Sequence, residues 1–335
     1  MEQTKTARTA KAAGTSFTTT LTAVKRSIEK LIDNIKSVIY IDTAKLEYII
    51  ASNIAGGHVM LADSHGVGKA SLAKALSGSI DWARRSNGVE PFSRIQCTVD
   101  LLPQDILGYN KIDGKQFDIK FHPGPIFAHF VLCDEINLLT PKTQGSFFQA
   151  MEERHVTVEG KTYALPDPFF IISTMNLKGA HLFPLPAPQL DRFMIQISMG
   201  TPSFEDELAI IRQHGRDDAW KNFGPVIRSS DLVTFKSFVD RIEIHPDVID
   251  YIARAVRETR THAEIQMGAS PRTGVKVSRL ARALELIRGR SFVSVDTVKE
   301  IFVHACAHRL VLNDPSQAKD KVLEELLKRI PVERR

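Results

Sequence analysis

The apolar run His58–Ala62 leads into Asp63-Ser64-His65-Gly66-Val67-Gly68-Lys69-Ala70-Ser71, and a helical Leu-Ala-Lys-Ala-Leu follows at once. Strand, glycine loop, lysine and helix in that order make a phosphate loop. Main-chain N–H groups and the helix N-terminus cradle the phosphates, the lysine reaches the terminal ones, and a hydroxyl after the lysine binds magnesium. Ser64, His65, Gly66, Val67, Gly68, Lys69, Ala70 and Ser71 are therefore the candidate nucleotide-binding residues. The chain around them alternates short apolar runs with helical patterns: Arg94–Thr98, Phe130–Asp134, a helix from Pro141, Phe169–Thr174 and Phe193–Met199. Flat apolar runs suit strands covered on both faces, which means a parallel sheet.

Two positions of the loop depart from the pattern. Its first glycine is Asp63, and the Ser/Thr after the lysine is Ala70. Alanine has no oxygen for a metal, and Ser71 lies about 100° further round the helix. Magnesium could still be held through phosphate oxygens and waters, so hydrolysis should suffer more than binding. A carboxylate at Asp63 aimed at the phosphates would oppose them by about 4 kcal/mol at 4 Å; turned outward it costs little. The sequence leaves both open.

The strand Phe130-Val131-Leu132-Cys133 ends in Asp134-Glu135, which puts two carboxylates at the edge where ligands bind in open α/β sheets. One can hold magnesium and its neighbour can orient or deprotonate the attacking water. Elsewhere, alternating residues flank Asp113-Gly114 within Gly108–Phe121 and Glu159-Gly160 within Arg154–Leu165, so each segment reads as a β-hairpin. Beyond Met199-Gly200-Thr201-Pro202 the pattern is helical, near 230–241, 246–260, 271–288, 294–312 and 315–330. Helical spacing also covers Leu21–Ile35 and Leu46–Ile54, whereas residues 1–16 lack an apolar period and read as a flexible tail.

With 335 residues, 43% hydrophobic and 25% charged, the chain suits a large domain plus a smaller one. The boundaries implied are 1–16 for the tail, 17–202 for the nucleotide-binding domain and 203–335 for the linker and helical domain. No apolar run approaches the ~20 residues of a membrane span, and the N-terminus has no signal-like stretch, so a cytoplasmic location without membrane insertion is expected. Cys97, Cys133 and Cys306 are far apart, and His65, His122 and His155 have no ligand spacing, so neither set indicates a disulfide or a zinc site. The net charge of +5 is modest. Its basic residues do not alternate with aromatics as a nucleic-acid platform would, which makes nucleic acid an unlikely partner.

Taken in order, Gly57-His58-Val59-Met60-Leu61, Gly66-Val67-Gly68-Lys69, Asp134-Glu135-Ile136-Asn137, Pro141-Lys142-Thr143-Gln144, Ala150-Met151-Glu152-Glu153, Leu185-Pro186, Gln189-Leu190-Asp191-Arg192-Phe193 and Gly268-Ala269-Ser270-Pro271-Arg272 span nearly the whole chain. Together they resemble the MoxR family of AAA+ ATPases, in the helix-2-insert clade. The resemblance implies an α/β P-loop NTPase core, its parallel sheet flanked by helices and carrying two β-hairpin insertions, followed by a small all-α lid domain. It implies ATP and Mg2+ as cofactors, a ring-shaped homo-oligomer, a hexamer in the family's usual form, and a von Willebrand A domain protein as partner. By the same resemblance Asp134 is the magnesium ligand, Glu135 the catalytic base, Asn176 the polar residue that positions the water, Arg192 the finger reaching a neighbour's nucleotide, and Arg272 the second sensor on the lid. Where family members usually carry a Gly-Gln pair at the base pocket, Ile41-Asp42 stands here. The function expected is a chaperone-like remodelling or assembly ATPase with weakened hydrolysis. A non-hydrolysing nucleotide-sensing scaffold is the alternative, and a nucleic-acid motor comes third.

Overall fold

In a computed structural model, the residues described are 2–63, 68–82, 89–112, 119–176, 183–200, 203–213 and 218–332. A five-stranded sheet forms the centre, built from Val59–Ala62, Glu90–Gln96, Ala128–Asp134, Phe170–Met175 and Ile195–Ile197. Every pairing in it is parallel. Across the sheet the order is Ile195–Ile197, Val59–Ala62, Phe170–Met175, Ala128–Asp134, Glu90–Gln96. Phe170–Met175 thus separates the strand feeding the phosphate loop from the strand carrying the acid pair. All four residues of Val59–Ala62 are buried, as expected of a strand covered on both faces.

Both expected hairpins form. Gly108–Ile112 pairs antiparallel with Ile119–Pro123, though its turn, including Asp113-Gly114, lies outside the described residues. His155–Val158 pairs with Lys161–Ala164; its turn residues Glu159 and Gly160 both have positive φ, 49° and 79°, as the tightest hairpin turns require.

The N-terminal segment differs from expectation, because the first helix runs Glu2–Lys36 and so includes the stretch read as a tail. Its Ala and Lys residues are strong helix formers, and an apolar period is required only where a helix packs. That packing begins with the partly buried Phe17 and continues through Leu21, Val24, Ile28, Leu31 and Ile35, all buried.

The C-terminal part consists of helices Ser229–Phe238, Pro246–Glu258, Pro271–Ile287, Val295–Cys306 and Lys319–Arg329. Two short ladders, Glu243–Ile244 with Phe292–Val293 and Ile265–Met267 with Val311–Leu312, join their ends. Pro271–Ile287 packs on Thr43–Ile54 and Glu2–Lys36, and Val295–Cys306 packs beside Ile195–Ile197. One continuous apolar core therefore runs from Leu21 to Ile330. A polar clamp crosses the same junction: Arg288 binds Glu47 and Glu300, each at 2.7 Å, and the Tyr48 hydroxyl donates to Glu300 at 2.7 Å. Among the described residues, no helix is long and apolar enough to cross a membrane.

Burial makes the fold acid-sensitive. His58 bridges the sheet to the helix Pro141–Glu153, its Nδ1 accepting from Ile171 N–H and its Nε2 meeting the Met151 carbonyl. Desolvation lowers its pKa from 6.5 to about 3, and burial lowers those of His129, His304 and His308 as well. Because the folded pKa lies below the unfolded one, the neutral ring's contribution is complete above about pH 6.5 and is lost as pH falls toward 3. Glu300, lowered by Arg288, adds a loss below its ordinary range near 4.5. Chemical-denaturation stability should change little between about pH 7.5 and 7. Below pH 6.5 it should fall by up to about 1.4 kcal/mol per pH unit for each of the fully buried histidines His58 and His308. Unchanged midpoints down to about pH 4.5 would mean that His58 is not held neutral by the fold.

Candidate functional site

The phosphate loop leaves the buried strand Val59–Ala62 and re-enters regular structure at Gly68, which caps the helix Lys69–Gly78 with φ +80°. Among the described residues, a Cβ built on Gly68 would meet nothing within 4 Å, so backbone strain in that left-handed conformation is what favours glycine there. Lys69 donates from Nζ to the Asp63 carbonyl at 3.1 Å. Ala70 packs against the core, and Ser71 is exposed. Ser64, His65, Gly66 and Val67 lie outside the described residues.

The side chain of Asp63 is buried. Its carboxylate accepts from the Ser198 hydroxyl, from Met199 N–H at 2.8 Å and from Gly200 N–H at 3.4 Å. Three donors satisfy the charge and tie the first residue of the loop to the chain leaving the sheet. The carboxylate is thus neither solvent-facing nor without partners.

At the same edge of the sheet, Asp134 ends its strand. One oxygen accepts from the Thr174 hydroxyl at 2.7 Å, and the other pairs with Arg94 at 2.6 Å. Glu135 adopts φ +62°, a conformation that costs a non-glycine residue about 1–2 kcal/mol, and its N–H donates to Thr174 Oγ1 at 2.8 Å. One threonine thus fixes both members of the acid pair. Asn176 follows the intervening strand, and its carbonyl accepts from the Asn137 amide at 2.8 Å. The parallel register thereby brings Lys69, Asp134, Glu135 and Asn176 to one edge.

Among the described residues, the Asp134 carboxylate can serve magnesium, whereas Ala70 brings no oxygen. Among the described residues no group of three or more His, Cys, Asp or Glu could enclose a metal ion. A single carboxylate still suits magnesium, which is commonly held by one or two carboxylates, several waters and the substrate's own phosphates.

Beside this edge a cleft of about 510 Å³ is lined by Tyr40, Ile41, Lys45 and Met199, where the base pocket was expected. Asp42 is occupied as the N-cap of Thr43–Ile54, accepting from Lys45 N–H at 3.1 Å. Lys36, Ser203 and Asp206 also line the cleft, so with Tyr40 and Lys45 a base would meet polar side chains there as well as Ile41 and Met199.

The two arginines stand elsewhere. Arg192, just before Ile195–Ile197, pairs with Glu152 at 2.9 Å, donates to the Pro188 carbonyl at 2.9 Å and lies over the Phe148 ring. Its Nε is buried with no hydrogen-bond partner among the described residues. Arg272, in the first turn of Pro271–Ile287, reaches the other oxygen of Glu152 at 3.4 Å. Both line a cleft of about 640 Å³ together with Gly56, Gly57 and His58, the residues that enter the strand Val59–Ala62. This is the opposite edge of the sheet from the phosphate loop, about 13 Å away along that strand alone.

Sequence reasoning missed the groups that hold this second cleft. Arg309 is buried and fixes the turn before Arg192, binding the Asp191 carboxylate at 2.7 Å and the Phe193 carbonyl. Lys276 donates to the Asp191 carbonyl. Desolvation, reinforced by the nearby positive charge of Arg309, lowers its pKa to about 8. Arg94 and Thr174 were missed on the first edge. Only their positions in the fold mark any of these residues.

Residues 58–195 match the family described as "ATPase family associated with various cellular activities (AAA)", and residues 257–330 match the AAA lid domain. Among similar proteins, YeaC of Bacillus subtilis is 35% identical over 292 residues, covering 85% of this chain and 89% of its own. Chaperone MoxR1 of Mycobacterium tuberculosis is 32% identical, covering 92% of this chain and 82% of its own. Protein MoxR of Methylorubrum extorquens is 25% identical, covering 83% and 85%. The crystal structure of a "putative ATPase" from Cytophaga hutchinsonii superposes with a TM-score of 0.86 at 25% identity, over 97% of this chain and 99% of that one.

Proposed function

The chain belongs to the MoxR family of AAA+ ATPases, and from that premise we propose that it is a ring-forming, chaperone-like ATPase whose ATP sites are each shared by two neighbouring subunits and hydrolyse slowly. The observation that carries this reading is the separation of the parts. Lys69, Asp134, Glu135 and Asn176 share one edge of the sheet, while Arg192 and Arg272 share a carboxylate at the other. A subunit cannot bring its own arginines to its own phosphates without dismantling the core, but the next subunit in a head-to-tail ring can.

In this reading Lys69 and the loop's N–H groups bind the triphosphate, and Asp134 would hold magnesium, which supplies charge neutralisation at the phosphate oxygens. Glu135 takes the proton of the attacking water, Asn176 orients that water, and the neighbour's Arg192 and Arg272 steady the charge that develops. Arginine suits the last task because its planar fork stays charged and matches phosphate oxygens. A hexamer, a cytoplasmic location and a von Willebrand A domain partner are part of the same proposal, and rest on the family alone.

One pair of observations favours the non-hydrolysing alternative: Ala70 offers no metal ligand, and Arg94 already pairs with Asp134. Phosphate release by the purified protein separates the two readings, with Lys69→Ala as the control that should abolish it. Restoring the hydroxyl tests the cause of slow turnover. Ala70→Thr should raise magnesium-dependent turnover about tenfold or more, a change of ~1.4 kcal/mol in the barrier, with ATP affinity little changed. Unchanged turnover at unchanged affinity would show that Ala70 does not limit the site.

A further inference from the structure

We propose that the helix Phe204–Gln213 of one subunit docks into a groove on the lid of the next copy of this chain, between its helices Pro246–Glu258 and Pro271–Ile287. This rests on the shared-site reading and names a contact that would hold such a ring together.

The helix is amphipathic but has little to cover it. Phe204, Leu208 and Ile211 fall on one stripe, yet Phe204 is 73% exposed and Ile211 66%. No other element of the described chain packs along it to more than a marginal extent. Its first turn carries Glu205, Asp206 and Glu207, and Ser203 caps it by accepting from Asp206 N–H at 3.1 Å.

The groove offers the complement. Its volume is about 540 Å³. Ile252 and Val256 are buried in its floor, while Val275 stands 70% exposed and Ile249 49%. Gly274 lowers the wall between the two helices: a Cβ there would meet Ile252 and Val256 at 3.6 and 3.8 Å, so the space above stays open. Arg260, Arg279 and Arg282 line the groove together with one acid, Asp240, a balance opposite in sign to the helix's acidic turn. Apolar stripe into apolar groove with acids toward arginines is the pattern of helix-in-groove recognition.

Placement makes the occupant a second copy. The helix starts beside the phosphate loop, because Ser203 and Asp206 line the same cleft as Ile41 and Met199 and Asp63 holds Gly200. The groove opens into the arginine cleft, sharing Val275 and Arg279 with it. An apposition that carries Arg192 to a neighbour's phosphates carries that neighbour's Phe204–Gln213 toward this groove. Helix and groove are different surfaces, so the contact is head-to-tail and repeats around a ring.

Cysteine cross-linking on the full chain tests this, since Cys97, Cys133 and Cys306 are all buried. The double variant Ile211→Cys/Val275→Cys, oxidised with ATP present, should give a ladder of covalent oligomers on a non-reducing gel. Each single variant should stay uncoupled, and a mixture of the two singles should give dimers and nothing larger. Dimers from Val275→Cys alone would mean that groove faces groove and would overturn the proposal. So would a double variant that closes only within one chain, or a sedimenting ring that yields no cross-link because another protein fills the groove. Sedimentation that finds monomers alone, with ATP, would reject the ring reading itself and the docking with it.

Discussion

Glu135→Gln should abolish at least about 99% of phosphate release while leaving ATP binding near that of the native protein, because a positioned general base contributes typically 10²–10⁴-fold. Glutamine keeps the shape and the φ of +62° at no greater cost than glutamate, and the main-chain bond from residue 135 to Thr174 at 2.8 Å does not depend on the side chain. What is lost is the ability to accept a proton. Steady-state phosphate release, read beside calorimetric titration with ATP, separates the two effects. Turnover that survives the substitution would come either from a contaminant or from a site that does not use this base, and loss of binding with turnover would point to a structural role.

The second large effect is expected at Arg192. Supplying an arginine to a neighbour's phosphoryl group is worth about 10³–10⁵ in turnover where it has been measured, so Arg192→Ala should reduce phosphate release about a thousandfold. The fold should survive, since the side chain is 30% exposed and its partners Glu152 and the Pro188 carbonyl can be rehydrated. Lysine should not restore the rate. A point charge lacks the planar fork and could not keep both the Glu152 pairing and a second contact. Thermal stability of the variant near that of the native protein, with activity gone, is the combination expected. Loss of both would make Arg192 a structural residue of the Phe148–Glu152 face.

Much of the architecture was legible in the sequence, for physical reasons that differ by element. The strands ending at Ala62 and Asp134 announce themselves by flat hydrophobicity and by the chemistry at their ends, and the lid helices by their 3.6-residue period. The first helix was readable only where it packs: Leu21 to Ile35 show the period, while Glu2 to Ser16 form helix through propensity, which carries no pattern. At the site, the motifs located Lys69, Asp134, Glu135 and Asn176, and the parallel register of the strands explains their shared edge. The capture of Asp63 was not legible, because the donors that hold it come from Ser198, Met199 and Gly200, far along the chain. Nor was Glu152, whose two oxygens hold arginines from the core and from the lid. Long-range partnerships of this kind have no local spacing and emerge only from the fold.

The shared site can be tested by mixing two inactive proteins. Lys69→Ala subunits should lack triphosphate binding and Arg192→Ala subunits should lack the finger, so each should be inactive alone. In an equimolar mixed ring about a quarter of the junctions would join an intact phosphate loop to an intact Arg192. Phosphate release should therefore return to as much as about a quarter of the native rate, and should do so only after the subunits are allowed to exchange. A mixture that exchanges subunits and stays inactive would contradict a site completed by the neighbouring subunit.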